Sequence, residues 1–318
     1  MQFTTQIPVA VNNQQIDYNS RIVSLGSCFA VNIGRRLEYF KFRNITNPFG
    51  ILFHPLALQK AIGFALNNKT FSEADIFFHN ERWQCYDAHS DLSHNDPAAL
   101  TERLNKANAL LRENLLNASH IIITLGTAWV YQLNATGETV ANCHKVPQQQ
   151  FTKHLMSVND SKQSLTAIID LIRQANPTAQ LIFTISPVRH IKDGFTENQH
   201  SKSNLFSALQ DVLQSENYYS GTFYFPSYEI MMDELRDYRF YAADMIHPNE
   251  TAIAYIWERF TESCIKPEAF TIMKEADTIQ KGLLHRPFNA ESDQHKDFLR
   301  KLSDRAEKLN QQYPHITF

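Results

Sequence analysis

The sequence predicts a three-layer α/β/α fold built on a parallel sheet. Two observations point there: short β-branched runs that are apolar from end to end, and amphipathic stretches of helical period between them. Composition excludes the other classes. With 318 residues, 43% hydrophobic and 12% aromatic, the chain has ample apolar matter for a large core, and 30 Lys+Arg against 33 Asp+Glu leave a net charge of -3. That balance gives no basic excess for nucleic acid or an anionic membrane surface, and no run approaches the ~18 apolar residues a bilayer span needs.

Arg21-Ile22-Val23-Ser24-Leu25 reads as the first strand, closed by Gly26, and the amphipathic stretch from about Cys28 to Phe40 as the first helix. His54-Pro55 opens a second helix, since proline at the first helical position gives up an amide that would lack a partner anyway. A third helix runs from Asp96-Pro97 to about Asn117, followed by the buried strand Ile121-Ile122-Ile123-Thr124-Leu125. The same grammar repeats: helix Asp160 to Ala175, strand Leu181 to Ile185, helix Ser201 to Leu213, strand Gly221 to Phe225. Asn249 is a good N-cap for a last helix ending near Cys264. Residues 1–268 therefore read as one domain and 269–318 as a C-terminal helical tail, in which Glu291 to Gln312 is charge-rich with a sparse stripe at Phe298, Leu302 and Leu309. Phe71 to Asn95, aromatic and His-rich without a period, reads as an insertion over the sheet.

Four cysteines (Cys28, Cys85, Cys143, Cys264) form no CxxC pair, and the N-terminus shows neither a charged n-region nor an apolar h-region. The expected location is the cytoplasm.

In an open parallel sheet, ligands sit beyond the carboxyl ends of the strands. The first strand ends in Gly26-Ser27-Cys28, the middle one in Gly126-Thr127-Ala128-Trp129, the next in Ser186-Pro187-Val188-Arg189-His190, and the last helix is preceded by Asp244-Met245-Ile246-His247-Pro248. A hydroxyl or thiol at a strand-to-helix turn is exposed at the sheet edge, and a helix N-terminus lowers a thiol pKa. Asp244 and His247 supply a base with a carboxylate to fix its tautomer. Each motif also has a plain structural reading, as a turn, a buried cysteine or a capping loop.

Together and in this order the segments resemble the blocks of the Ser-Gly-Asn-His (SGNH) hydrolases, also called GDSL esterases. More closely, Gly26-Ser27-Cys28-Phe29-Ala30 is the naming motif of the GSCFA family, and Asn47-Pro48-Phe49-Gly50, Gly126-Thr127-Ala128 and Asp244 to Pro248 resemble further segments of it. The resemblance implies an SGNH/flavodoxin-like sheet. It also puts Cys28 where the hydrolases have the nucleophilic Ser, with Ser27 as the alternative. Ala128 stands where they carry the Asn of the oxyanion hole, so the amides of Cys28 and Gly50, with Thr127 or Asn47, are the expected donors.

Weaker clusters complete the reading. Asp87-Ala88-His89-Ser90-Asp91 with His94 and Asp96 has metal-ligand residue types but no ligand spacing, so no metal is expected, and His89 and Ser90 resemble a segment of the family, which implies a place in the substrate pocket. His144, Lys145, Arg189 and His190 are donors suited to a carboxylate, sugar or phosphate, with Gly126 beside them. Met231 and Met232 lie on a predicted helix and read as core. The function expected is an esterase or acyltransferase acting through an acyl-enzyme, on O-acyl groups of a carbohydrate or another hydroxylated metabolite. It needs no cofactor, and acyl-CoA is a suitable donor substrate. Its partners would be small molecules or glycans. A ligand-binding protein that has lost catalysis is the other reading, prompted by Ala128.

Overall fold

A computed structural model describes residues 5–218 and 220–318. Its centre is a five-stranded, all-parallel sheet of β1 (Arg21–Gly26), β2 (Arg43–Thr46), β5 (His120–Leu125), β9 (Gln180–Ile185) and β10 (Thr222–Phe225), in the order β10-β9-β5-β1-β2. The three-layer parallel class predicted from the sequence holds. The strand order is flavodoxin-like, with the winding direction reversing between β1 and β5. The crevice at that reversal lies between the ends of β1 and β5.

Alternation along the strands sorts side chains between the two faces. Ile22, Ile122, Ile182 and Phe225 join one cluster with α1 (Cys28–Tyr39) and α7 (Glu250–Cys264). Val23, Ile121, Ile123 and Phe183 join the other, under α2 (Pro55–Leu66), α3 (Pro97–Asn117), α4 (Val158–Ala175) and α5 (Phe195–Leu213). Both faces are covered, which is why the strands read as continuous apolar runs. A fully buried Ile or Phe contributes ~1.5–3 kcal/mol, so the two clusters dominate stability.

Helix starts follow their caps. His54 accepts the amide of Ala57, Asp96 those of Ala98 and Ala99, and Asn249 that of Ala252, with Pro55 and Pro97 at the first turns. Four regions depart from the sequence reading. The edge strand β2 is only half-buried and carries no apolar run to betray it. A second, antiparallel sheet of β6 (Trp129–Leu133), β7 (Thr139–Val140) and β8 (Phe151–Leu155) stands after β5, and the insertion holds a hairpin of β3 (Phe77–His79) and β4 (Arg82–Gln84). Met231 is buried as expected, but in a π-helical segment, Ile230–Leu235, that continues the short α6 (Ser227–Glu229).

C-terminal to α7, α8 (Ala269–Leu284) and α9 (Asp293–Gln312) pack on the α1 side. Ala269, Met273, Ile279 and Leu309 share the cluster of Phe29, Ile33 and Leu37. Among the described residues no helix is long and apolar enough to cross a membrane.

Candidate active site

The turn between β1 and α1 is built on Gly26. At φ +132° and with the Thr124 carbonyl 2.1 Å from where a Cβ would lie, only glycine fits. Ser27 follows as N-cap, fully buried, its amide bonded to the Thr124 carbonyl at 3.1 Å. Its hydroxyl makes neither a cap bond nor any other hydrogen bond. Cys28 is the first residue of α1 and is partly exposed. Of the two adjacent nucleophile types, the thiol is the one that faces outward.

The thiol does not have the low pKa expected of a helix start. Burial is the largest influence and raises it above the ordinary cysteine value. The positive charge of Lys202 and the amides of Cys28 and Phe29 pull the other way, while the Asp244 carboxylate raises it further. At rest Cys28 is a protonated thiol that needs a base.

Lys202 escaped the sequence reading. It lies on α5, is 1% exposed, and donates to the carbonyls of Gly126 at 2.8 Å and Ser186 at 2.7 Å, at the ends of β5 and β9. Burial lowers its pKa to about 7, and Cys28 is the charge that opposes the fall. The helix containing it begins at Phe195, six residues earlier than the predicted Ser201, and its inner stripe opens with polar residues: Asn198, Ser201 and Lys202 precede Leu205, Leu209 and Val212. That polar continuation of an apolar stripe was the available signal. Ser201 accepts the Ala128 amide at 2.7 Å and contacts Thr127 Oγ1 at 2.9 Å, while Asn198 accepts the His190 amide at 2.8 Å.

Asp244 and His247 form the expected pair. Nδ1 of His247 lies 2.7 Å from one carboxylate oxygen, and the other oxygen accepts the amides of Ile246 and His247 at 2.9 and 3.0 Å. These bonds, the His247 amide first, hold the Asp244 pKa down to about 2. A charged carboxylate on Nδ1 fixes the proton there and leaves Nε2 as acceptor. The pair is about half exposed, on a loop docked by Arg189, whose guanidinium bonds the Met245 carbonyl and stacks on Tyr241 with the ring centroid 4.3 Å away. Arg189 is thus engaged in holding the loop.

His190 lies between these groups. Its ring is largely buried, its Nε2 has no hydrogen-bond partner, and burial, then Lys202, then His247 bring its pKa to about 3. The same Nε2 is 3.4 Å from the Cβ position of Gly126, and the Ser27 Cβ is 3.0 Å from it, so ring and turn meet over that glycine.

Several expected oxyanion donors are committed elsewhere. The Gly50 amide donates to the Asn47 carbonyl at 2.7 Å, and the backbone there, at φ +75°, packs against His89. Asn47 clasps Gly26 with its side chain, accepting from the amide at 2.8 Å and donating to the carbonyl at 3.1 Å. The amides of Gly126 and Thr127 both donate to the Phe53 carbonyl. The amides of Gly50, Gly126 and Thr127 and the side chain of Asn47 are thus engaged within the loops, because tight loops satisfy their own backbone first, while Thr127 keeps a place on the cavity lining.

A cavity of about 440 Å³ is lined by Phe53, Thr127, Trp129, Tyr131, Lys192 and His190 among others, while Ser27, Cys28, Asp244 and His247 are not part of its lining. His144 and Lys145, both at left-handed backbone angles, lie on its wall. His144 is buried and bonded through both ring nitrogens, to the Ser90 hydroxyl at 3.1 Å and the Cys85 carbonyl at 2.7 Å. His89 pairs with Asp91 at 3.0 Å, and His94 accepts the Asp96 amide. His89 and Ser90 therefore support the wall and do not line the cavity. Among the described residues no three His, Cys, Asp or Glu side chains converge as a metal would require.

Residues 21–260 match the GSCFA family, and residues 276–318 match the GSCFA domain protein, C-terminal domain. The chain belongs to the GSCFA family. No curated protein matches it. Among solved structures it is similar to a carbohydrate esterase family 3 protein from Talaromyces cellulolyticus, at 14% identity over 52% of this chain and 66% of that one, with a TM-score of 0.29. It is also similar to an acetyl xylan esterase from the rumen bacterium Butyrivibrio proteoclasticus, at 10% identity over 88% of this chain and 66% of that one, with a TM-score of 0.35. Each match spans just under two thirds of the other chain. Membership of the family rests on the sequence match.

Proposed function

We propose that this protein is an esterase or acyltransferase that forms an acyl-enzyme on Cys28, with an ester or thioester of a carbohydrate or other hydroxylated metabolite as substrate. The observation that carries the reading is the arrangement at the β1–α1 turn. A partly exposed thiol at a helix start stands within the field of an Asp244 carboxylate that also holds His247 with Nε2 free.

The proton on Cys28 Sγ passes to His247 Nε2 as the sulfur attacks the substrate carbonyl, and the imidazolium is stabilised by Asp244. The carbonyl π electrons move to oxygen. That oxyanion forms beside the amides of Cys28 and Phe29, and the unpartnered Nε2 of a neutral His190 supplies a further donor in place of the missing Asn. Collapse breaks the bond to the leaving oxygen or sulfur, which takes the proton from His247. Water or an acceptor hydroxyl then resolves the thioester by the same steps in reverse. The scheme uses no cofactor, and the cavity on the far side of His190 receives the rest of the substrate.

The test is intact and peptide mass after incubation with a panel of ester and acyl-CoA donors. An acyl mass on Cys28 that is absent in Cys28→Ala is expected. No adduct with any donor, together with full binding of the same compounds, would replace this reading with the non-catalytic one that Ala128 suggests.

A further inference from the structure

The cavity that Thr127 and His190 line has an excess of lysine. Lys145, Lys153 and Lys192 all face it, against the carboxylate of Asp193. Asp193 is already engaged: it forms an ion pair with Lys153, whose ammonium also stands over the rings of Trp129 and Tyr131, 4.7 and 5.4 Å from their centroids. Lys145 and Lys192 are exposed, and among the described residues neither side chain has an ion pair or a hydrogen bond. Burial keeps the imidazoles of the lining uncharged at neutral pH, with His54 and His144 lowered to about 4 and His190 to about 3. Two unneutralised ammonium groups therefore set the sign of the cavity.

The loop that delivers Lys145 is held in place at some cost. His144 and Lys145 are successive non-glycine residues at positive φ, 50° and 61°, a conformation that side chains disfavour. Hydrogen bonds fix it on both sides. The Asn142 side chain accepts the His144 amide at 2.8 Å, the Val146 amide donates to the Cys143 carbonyl at 2.9 Å, and the His79 ring lies 3.3 Å from the Lys145 carbonyl. What this framework leaves unengaged is the Lys145 ammonium. Lys192 comes from the turn Ile191–Asp193, pinned by the Asp193 ion pair on one side and by the Gly194 amide on the Ile191 carbonyl, 3.0 Å, on the other.

Resting on the reading of the neighbouring strand ends as an acyl-transfer edge, we propose that this cavity binds the phosphate of a phosphorylated substrate between Lys145 and Lys192, with the body of that substrate along Trp129 and Tyr131. Lysine is a point-charge partner suited to phosphate, whereas a carboxylate is read best by the fork of an arginine. The arginine of this edge, Arg189, is outside the lining and bonded to the Met245 carbonyl. Such a phosphate has two chemical sources: a phosphorylated sugar that carries or accepts the acyl group, or a coenzyme A thioester that delivers it.

The experiment is calorimetric binding to the full chain carrying Cys28→Ala, in two arms. One compares glucose, glucuronate and glucose phosphorylated on its primary hydroxyl; the other compares pantetheine with coenzyme A. In at least one arm the phosphorylated probe is expected to bind about 10-fold or more tighter than its counterparts. Lys145→Gln and Lys192→Gln should each weaken it by about 5–10-fold and leave the neutral probe unmoved. The arm that responds identifies the source. No preference for phosphate in either arm, or a preference that ignores both lysines, overturns the proposal. Should a variant not fold, salt decides: a phosphate held by two charges loosens several-fold from low to physiological ionic strength, and an affinity indifferent to salt overturns the proposal equally. Failure of the acyl-enzyme reading looks different: no donor leaves an acyl mass on Cys28, while the phosphate preference and its dependence on both lysines persist.

Discussion

Two polar clusters adjoin one cavity, which His54 and His144 line from one cluster and His190 from the other, and they bury their histidines in opposite ways. On the side of the insertion, His54 accepts the Ala57 amide and contacts the Val140 carbonyl, each at 3.1 Å, and His144 is likewise bonded at both nitrogens. On the side of the strand ends, His190 leaves Nε2 unpartnered, Ser27 leaves its hydroxyl unpartnered, and Lys202 has carbonyls but no counter-ion. Both clusters have depressed imidazole pKa values from burial, so the shift alone does not tell a site from a wall. The hydrogen-bonding differs between them: it is filled at the wall and open at the strand ends, as it is at other buried positions such as Ser161 and Ser164 of α4.

The largest expected effect falls on the thiol. Cys28→Ser keeps the shape but raises the pKa of the attacking group, and turnover should fall by about 10³-fold or more. A variant that keeps wild-type turnover would move the chemistry away from this edge. Next come the base and its carboxylate: Asp244→Asn should lower turnover on the order of 10²–10⁴-fold without unfolding the protein, and His247→Ala by at least as much. Wild-type rates in both variants would leave the dyad as a capping loop.

The opposite cluster should respond in stability. Burial lowers the pKa of His54 and His144 from 6.5 to about 4. Above the unfolded value neither state binds these protons, whereas below it the unfolded chain does and the folded one does not. Stability is therefore full above pH 6.5 and lost as pH falls toward 4, by about 1.4 kcal/mol per pH unit for each ring. Urea denaturation at pH 7 and pH 5 reads this directly, and an unchanged midpoint would mean the rings are not held neutral. Ser90→Ala strips His144 Nδ1 of its partner and should cost about 1–3 kcal/mol. The smallest effect belongs to Ser27→Ala, within about 0.5 kcal/mol, since that hydroxyl bonds to nothing. A dead Ser27→Ala beside an active Cys28→Ala would reverse the assignment of the nucleophile.

Much of this was legible beforehand. Strands such as Ile121 to Leu125 announce themselves because burial on both faces demands apolar residues throughout, and Asn249 or Asp96-Pro97 mark helix starts because the cap bond is local. The same holds for Asp244 and His247, three residues apart on one loop. Gly50 and Asn47 were misread as oxyanion donors because a motif names residues without saying which of their amides the loop itself consumes.

The sequence by itself determined the four core strands β1, β5, β9 and β10 with the helices between them, the Gly26-Ser27-Cys28 turn, the Asp244 and His247 pair and the family. These depend on periodicity, caps and spacing, all set within a few neighbouring residues. Tertiary structure alone decided that Cys28 is partly exposed while Ser27 is sealed under Gly126, that His190 ends with an unpartnered nitrogen, and that Lys202 of α5 reaches the carbonyls of Gly126 and Ser186 at the ends of β5 and β9. The reason is that an isolated polar residue on a helix stripe looks the same whether it meets solvent or the end of a strand, and only the crossing of α5 over β5 and β9 brings its charge to the carbonyls that hold it.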